Sequence, residues 1–265
     1  MERTAAIVGA GLIGRAWAMV FARAGWRVRL YDHLPQQLEA AREHLAASLA
    51  DQQTASLVDD ACLVASRVSM FERMEEAVDG VAWVQENLPE QAEIKREAFR
   101  RLDAHAPGDA VLASSTSAIP ASRFTEALAG RARCLVAHPV NPPDLVPVVE
   151  LCGAPWTSAA TIERARDVMT EVGQVPVLVR RELDGFILNR LQGALLSEAM
   201  RLVAEGYVSP EDLDKTVRDG LGLRWSFMGP LATIELNAPG GVEDYCARYG
   251  GFYRRLALAP PPPSV

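Results

Sequence analysis

Short apolar runs alternate with longer amphipathic stretches over residues 4 to 180. Eight of the runs have the length and composition of strands: AAIVGA, RVRLYD, RVSMF, VAWVQE, AVLASS, CLVAHP, VPVVEL and VPVLVR. Stretches of helical period lie between several of them, at 12–24, 36–50, 90–103 and 158–171. Strands that alternate with helices are typical of a largely parallel sheet covered on both faces. The pattern therefore predicts a doubly wound, mainly parallel α/β domain over residues 1–183.

The pattern changes after residue 183, because the remaining apolar residues recur at helical spacing only. The run DGFILNRLQGALLSEAMRLVAEG ends on Gly206, a typical helix stop. The next helix is predicted to begin with Ser209 as N-cap and Pro210 in its first turn. We predict a smaller all-helical domain over residues 184–258 and a proline-rich tail, 259–265, without regular structure.

Composition and charge exclude several classes of protein. The chain is 49% hydrophobic and its formal net charge is -7, which disfavours disorder and a nucleic-acid or anionic-membrane partner. No apolar run approaches the roughly eighteen residues of a membrane span. The four cysteines form no C-x-x-C pair, so a reduced, cytoplasmic chain without a metal site is predicted.

A glycine-rich loop, GAGLIG, follows the first predicted strand and opens a helix. Gly9 permits a tight turn, Gly11 lets the backbone approach a pyrophosphate, and Gly14 lets the helix pack closely on the strand. Leu12 and Ile13 complete the loop, at the helix N-terminus whose partial positive charge favours phosphates. The loop predicts a Rossmann-type fold with a dinucleotide site; a glycine-rich turn in another α/β protein is the alternative.

Asp32 ends the next predicted strand, VRLYD, at the distance expected for the acid that binds the adenosine ribose. A carboxylate there accepts hydrogen bonds from both ribose hydroxyls and repels a 2′-phosphate. His33 does not supply the arginine that a 2′-phosphate usually needs. NAD is therefore the predicted cofactor, in preference to NADP.

The stretch CLVAHPVNPPDLVPVVELC places a histidine at the end of one predicted buried strand and an acid in the next apolar run. His138 lies at the carboxyl side of the sheet, where open α/β sheets bind ligands. Glu150 is suited to orient the imidazole and to raise its proton affinity. The residues alone leave two interpretations open: a catalytic pair, or a core histidine bonded to the backbone beside a solvent-facing glutamate.

Longer motifs carry a resemblance over nearly the whole chain. LASSTSAIP, AHPVNPPDLVPVVEL and GFILNRLQGALLSEAMRLVAEG together resemble the 3-hydroxyacyl-CoA dehydrogenase family. Within that family, AHPVNPP, NRLQ, EGYVSPEDLD and GLGLRWSFMGPL are most similar to the lambda-crystallin and L-gulonate 3-dehydrogenase branch. The resemblance implies an NAD-dependent oxidoreductase that acts on a secondary alcohol.

The resemblance also implies roles for individual residues. His138 matches the general base and Glu150 the carboxylate that pairs with it. Ser117 matches the serine that contacts the substrate oxygen and the nicotinamide side of the cofactor, and Asn189 matches the asparagine that polarises the reacting carbonyl. Taken singly, Ser117 also suits a helix cap or turn, and Asn189 suits an ordinary helix position.

Three further positions match contacts to the cofactor. Asn141, three residues past the histidine, matches a residue that contacts the nicotinamide portion. Glu90 and Lys95, in PEQAEIK, match the pair that contacts the cofactor's ribose.

Charge bears on the substrate class that the resemblance leaves open. Relatives that use CoA thioesters carry lysines after the second strand, whereas residues 36–79 here hold three arginines, nine acids and no lysine. A small hydroxy acid such as L-gulonate is therefore predicted, with Arg224 as a candidate bidentate partner for its carboxylate. The alternatives are 3-hydroxybutyryl-CoA, carnitine, or a non-catalytic crystallin-like structural role. The alternative for Arg224 is a helix cap or a position at a subunit interface. The apolar run at 185–196 favours a homodimer through the helical domain.

Overall fold

The computed structural model describes residues 3–257, and a single eight-stranded sheet forms its centre. Each predicted strand is present, within a few residues of its expected limits. The strands are β1 (Thr4–Val8), β2 (Arg27–Tyr31), β3 (Val68–Phe71), β4 (Trp83–Glu86), β5 (Val111–Ser114), β6 (Cys134–Pro139), β7 (Val148–Gly153) and β8 (Val175–Val179). The predicted Rossmann-type α/β class is confirmed.

Helices connect the strands and continue alone after β8. They are α1 (Leu12–Arg23), α2 (Pro35–Thr54), α3 (Ala61–Ser66), α4 (Met74–Val78), α5 (Ala92–His105), α6 (Ser122–Thr125), α7 (Ala159–Glu171), α8 (Leu188–Ala204), α9 (Pro210–Lys215), α10 (Leu223–Trp225), α11 (Pro230–Asn237) and α12 (Gly241–Ala257). A π-helical stretch, Thr216–Gly222, joins α9 to α10.

The strand order across the sheet is β3-β2-β1-β4-β5-β6-β7-β8. Neighbouring strands are parallel except for β6 and β7, which are antiparallel. Residues 140–147 between them are too few for the helical crossover that a parallel pair requires. The connection from β3 to β4 takes the chain to the other half of the sheet, so the strand order reverses between the neighbours β1 and β4. Open α/β sheets bind ligands at such a switch point.

Alternation along β1 explains how the sheet is covered. Ala5 and Ile7 belong to one hydrophobic cluster, whereas Ala6 and Val8 belong to a second. Successive strand residues point to opposite faces, so each face has its own core. The first cluster contains residues of α1, α2 and α7, and the second contains residues of α4, α5 and α6.

The chain divides into two units, Met1–Asn189 and Arg190–Val265. This division lies six residues beyond the limit expected at 183/184, because the first residues of α8 belong with the first unit. The expected proline-rich tail at 259–265, and residue 258, lie outside the described residues. Every helix among residues 3–257 is too short or too polar to traverse a lipid bilayer.

The second unit shows the predicted helix cap and helix stop, but few of its described residues are buried. Ser209 Oγ accepts a hydrogen bond from Asp212 N at 3.1 Å, and Gly206 has a φ of 76° just after α8. Among its described residues, Thr233 and Ala238 alone are buried. Several large apolar side chains of this unit are exposed. Leu191, Met200, Phe227, Leu231 and Leu236 are each at least half exposed.

Candidate active site

The glycine loop has the geometry that the sequence predicts. Gly9 has a φ of 98° and closes the turn after β1, and a Cβ there would lie 2.9 Å from the carbonyl oxygen of Asn87. A Cβ on Gly14 would overlap the carbonyl oxygen of Gly9. No atom lies within 4 Å of a Cβ built on Gly11, which leaves open space at the N-terminus of α1. That space and the helix N-terminus suit a diphosphate.

Asp32 follows β2 and lies beside this loop. Its Oδ2 accepts a hydrogen bond from Ala10 N at 2.9 Å, and its Oδ1 accepts one from Leu34 N at 3.0 Å. His33 Nδ1 lies 3.3 Å from Oδ1. Each carboxylate oxygen has capacity for a second hydrogen bond, so the carboxylate is held in place and still suited to bind ribose hydroxyls. Loop and acid together fit a dinucleotide.

His138 and Glu150 lie directly opposite each other on the antiparallel strands β6 and β7. His138 Nδ1 is 2.8 Å from Glu150 Oε2, and the two residues are 5% and 2% exposed. The interpretation with a solvent-facing glutamate is therefore wrong: Glu150 is buried and paired with the histidine. Opposed residues of an antiparallel pair are close enough for such contacts.

The second oxygen of Glu150 binds the backbone at the start of α8. Its Oε1 accepts hydrogen bonds from Ile187 N at 2.7 Å and from Leu188 N at 2.9 Å. Burial alone would raise the pKa of Glu150, but the hydrogen bonds from His138 and from these two N–H groups outweigh it, so the pKa lies below its usual value. The carboxylate is therefore held in its charged form.

Phe186 contributes to the site and was not predicted from the sequence. It is fully buried, and its ring centroid lies 5.5 Å from that of His138. Its φ of 47° follows a φ of 74° at Gly185, and positive φ is uncommon for a bulky residue. A glycine directly before an aromatic residue at the entry to a predicted helix is the sequence signal that points to this turn.

Ser117 and Asn189 are brought together by the fold. Ser117 is exposed in the segment that follows β5, and Asn189 lies in the first turn of α8. Asn189 Nδ2 donates a hydrogen bond to the Ser117 carbonyl oxygen at 3.2 Å. Because β5 and β6 are parallel neighbours, Ser117, which follows β5, and His138, the penultimate residue of β6, lie toward the same edge of the sheet. No hydrogen bond of the Ser117 hydroxyl is found among residues 3–257.

Lys95 lies in the interior between two carboxylates. It is 1% exposed, and its Nζ lies 3.1 Å from Glu86 Oε1 and 3.5 Å from Glu90 Oε2. Its charge is shared by Glu86 and Glu90, and the expected contact of Lys95 with the cofactor's ribose stays a prediction. Burial raises the pKa of the fully buried Glu86, although Lys95 and Ser114 oppose the shift.

Glu90 is partly exposed and connects Lys95 to the Ser117 segment. Its Oε1 accepts hydrogen bonds from Ser117 N and Ala118 N, each at 3.0 Å, and from the Thr116 hydroxyl. Burial would raise the pKa of Glu90, but the hydrogen bond from Thr116 and the charge of Lys95 lower it below its usual value.

Two other predicted positions lie on exposed segments. Asn141 belongs to the β6–β7 connection, which is held by a hydrogen bond from Gln52 to Asp144 at 2.8 Å and by one from Gln174 to the Pro143 carbonyl at 3.2 Å. Arg224 lies on α10 of the second unit and is exposed.

A metal cluster and a reactive buried thiol are two further kinds of site that the described residues could form. Residues 3–257 contain no group of three His, Cys, Asp or Glu arranged to hold a metal ion. Burial raises the pKa of Cys134 and of Cys152 to about 12, so neither thiol is a candidate nucleophile.

Comparisons with known proteins agree with this geometry. Residues 4–183 match the NAD binding domain of 3-hydroxyacyl-CoA dehydrogenase, and residues 185–261 match its C-terminal domain. Lambda-crystallin of Oryctolagus cuniculus is 45% identical over 253 residues, which are 94% of this chain and 79% of that protein. L-carnitine dehydrogenase of Streptomyces griseus is 36% identical over 249 residues, 94% of this chain and 74% of that protein.

A solved structure is similar along the full chain. The 5-formyl-3-hydroxy-2-methylpyridine 4-carboxylic acid 5-dehydrogenase, an NAD+-dependent dismutase, superposes with a TM-score of 0.87 at 30% identity. The match covers 100% of this chain and 84% of that one. The match therefore includes both the sheet-containing unit and the helical unit.

Proposed function

The chain belongs to the 3-hydroxyacyl-CoA dehydrogenase family of NAD-dependent oxidoreductases that act on CH–OH groups, and on this premise we propose that it oxidises the 3-hydroxyl of a small hydroxy acid such as L-gulonate. The observation that carries the proposal is the buried pair of His138 and Glu150, joined at 2.8 Å. Oxidation of an alcohol requires a base that accepts the hydroxyl proton.

His138 is the proposed base. Because Nδ1 is bonded to Glu150, Nε2 is the ring atom that accepts the hydroxyl proton. The Glu150 carboxylate stabilises the imidazolium that forms and fixes the orientation of the ring. Ser117 Oγ and the second N–H of the Asn189 amide donate to the substrate oxygen as its charge changes.

NAD supplies the acceptor for the hydride that leaves the carbinol carbon. The residues proposed to hold it are Asp32 at the adenosine ribose, Asn141 at the nicotinamide portion, and the pair Glu90 and Lys95 at the cofactor's ribose. The phosphates are assigned to the glycine loop, Gly9, Gly11, Leu12, Ile13 and Gly14.

The substrate class rests on charge and on similarity. The region after β2, residues 36–79, has nine acids and three arginines, a net repulsive surface for the phosphates of CoA. The similarity to lambda-crystallin is consistent with a small free acid, and Arg224 is the proposed partner for its carboxylate. The similarity to L-carnitine dehydrogenase makes carnitine the second candidate. The complete set of site residues disfavours a purely structural role.

We also propose a homodimer formed through the helical unit and a cytoplasmic location. The exposed apolar side chains of that unit support the dimer. Four free cysteines, two of them exposed, support a reducing compartment.

The proposal is tested by following NADH formation with L-gulonate, 3-hydroxybutyrate, carnitine and 3-hydroxybutyryl-CoA. We expect activity with a free hydroxy acid, and a loss of kcat of about 10²–10⁴-fold in His138→Gln. Arg224→Ala should raise KM for the hydroxy acid much more than KM for NAD. His105→Gln, at an exposed histidine on α5, is the matched control and should retain activity. Preference for the CoA thioester would overturn the substrate class. A kcat of His138→Gln equal to that of the wild type would overturn the mechanism.

A further inference from the structure

A buried ion pair adjoins the segment that carries Ser117. Glu86 ends β4 and is fully buried, and Lys95 on α5 is 1% exposed. Lys95 Nζ lies 3.1 Å from each carboxylate oxygen of Glu86. A hydrophobic pair of similar volume often stabilises a core as well as a buried ion pair does. The role of these charges is therefore to hold neighbouring groups in place rather than to stabilise the core.

Lys95 joins Glu86 to a second carboxylate. Besides its contacts to Glu86, its Nζ is 3.3 Å from the Leu88 carbonyl oxygen and 3.5 Å from Glu90 Oε2. Glu86 is itself fixed, because Oε1 accepts from Leu88 N at 2.6 Å and Oε2 accepts from the Ser114 hydroxyl. One lysine thus links a fully buried anchor to the partly exposed Glu90.

One carboxylate oxygen of Glu90 accepts three hydrogen bonds from the segment that follows β5. Oε1 accepts from the Thr116 hydroxyl, from Ser117 N and from Ala118 N. The Ser117 carbonyl oxygen separately accepts a hydrogen bond from Asn189 Nδ2. Both polar backbone atoms of Ser117 are therefore held by side chains, which leaves the hydroxyl as the group of this residue available to a substrate.

We propose that Glu86, Lys95 and Glu90 form a relay that positions Ser117 for the reaction. The inference rests on the proposed function, in which Ser117 Oγ donates to the substrate oxygen. Glu86 and Lys95 are positioning residues, since they act on that oxygen through Glu90 and the Thr116–Ala118 backbone. Glu86→Gln removes the anchor charge at nearly constant volume and weakens the hold on Lys95.

The first test needs no substrate. Amide hydrogen exchange of Ser117 and Ala118 should become at least several-fold faster in Glu86→Gln, because their N–H groups lose a firmly held acceptor. The matched control is Asp103→Asn, which breaks the partly buried Arg133–Asp103 pair, 2.9 Å, at the amino-terminal edge of β5. This control should leave exchange in the Ser117 segment unchanged. Unchanged exchange in Glu86→Gln would overturn the relay.

The second test is a double-mutant cycle with Ser117→Ala. Glu86→Gln should lower kcat by about 10–100-fold. If Glu86 acts through Ser117, the same substitution should have almost no further effect on kcat in the Ser117→Ala background. Additive losses would mean that Glu86 supports the fold in general, and the relay would be wrong.

The outcomes separate this inference from the proposed function. Full activity in Ser117→Ala would contradict the role of Ser117 in the reaction. Reduced activity in Ser117→Ala, together with additive losses of kcat in the double variant, would contradict the relay alone. If Glu86→Gln does not fold, Thr116→Val removes one of the three donors to Glu90 while preserving side-chain shape. It should accelerate exchange of the Ser117 and Ala118 amides and couple to Ser117→Ala in the same way; failure on either count overturns the proposal.

Discussion

At the scale of single residues, the two oxygens of Glu150 have different partners. Oε2 pairs with His138 on the neighbouring strand, and Oε1 accepts two backbone N–H groups, Ile187 and Leu188. A glutamine there would retain an acceptor for the backbone but would present an NH₂ group to Nδ1. The imidazole would then carry its proton on Nε2, which is the atom proposed to accept the hydroxyl proton.

Glu150 should also make the stability of the protein depend on pH. Because its pKa is lowered in the folded state, its ionised form stabilises the fold above the ordinary value of 4.5. This contribution is lost as pH falls through the lowered folded-state pKa. We expect Glu150→Gln to lower the free energy of unfolding by about 1.5–3 kcal/mol near neutral pH.

The measurement is denaturant unfolding of wild type and Glu150→Gln at neutral pH and at several pH values below 4.5. The difference between them should shrink on acidification. Glu163→Gln, at an exposed glutamate on α7, provides the control and should show neither effect. A difference that stays constant down to low pH would show that charge at Glu150 does not stabilise the fold.

At the scale of elements, the packing of α1 against the β1 turn depends on Gly14. A Cβ there would overlap the Gly9 carbonyl oxygen, so Gly14→Ala must move the helix or the loop. We expect a loss of about 1–3 kcal/mol in stability and weaker NAD binding, measured by thermal unfolding and titration calorimetry. Gly193→Ala, on α8 with no atom near the new methyl, should be neutral or stabilising. NAD affinity that is equal in Gly14→Ala and wild type would contradict this account of the loop.

The positions of the strands along the chain were predictable, whereas the direction of each strand in the sheet was not. Each of the eight apolar runs forms a strand. Four of them, β1, β4, β5 and β6, are buried at every position, and a strand buried on both faces requires a continuous apolar segment. The pattern does not encode strand direction, and β7 runs antiparallel to β6. That reversal sets Glu150 opposite His138, a contact that the sequence suggested without specifying its register.

At the scale of the whole molecule, the helical unit exposes several large apolar side chains, and contiguous exposed apolar surface is typical of an interaction site. Leu191 and Met200 on α8 are 66% and 54% exposed. We expect a dimer in sedimentation at micromolar concentration, because burial of these side chains against a second copy is favourable. Leu191→Glu combined with Met200→Glu should shift the protein toward monomer. Monomer alone in the wild type would contradict the proposed homodimer.

The sequence by itself determined the elements, the glycine loop with Asp32, the candidate pair His138 and Glu150, and membership of the family. The elements follow from local spacing, since periodicity specifies which face of an element is buried and turn residues specify where it ends. The family follows from the longer motifs that resemble those of its members.

Only the tertiary structure decided which groups meet. Lys95 faces Glu86 in the interior, Phe186 packs on the His138 ring, and Glu90 holds the Ser117 segment. Such contacts join residues from different elements, and they depend on strand order, register and burial. A charged residue in a helix has the same local pattern whether its partner is a cofactor or a buried carboxylate, so its role becomes visible only when the sheet brings the partners together.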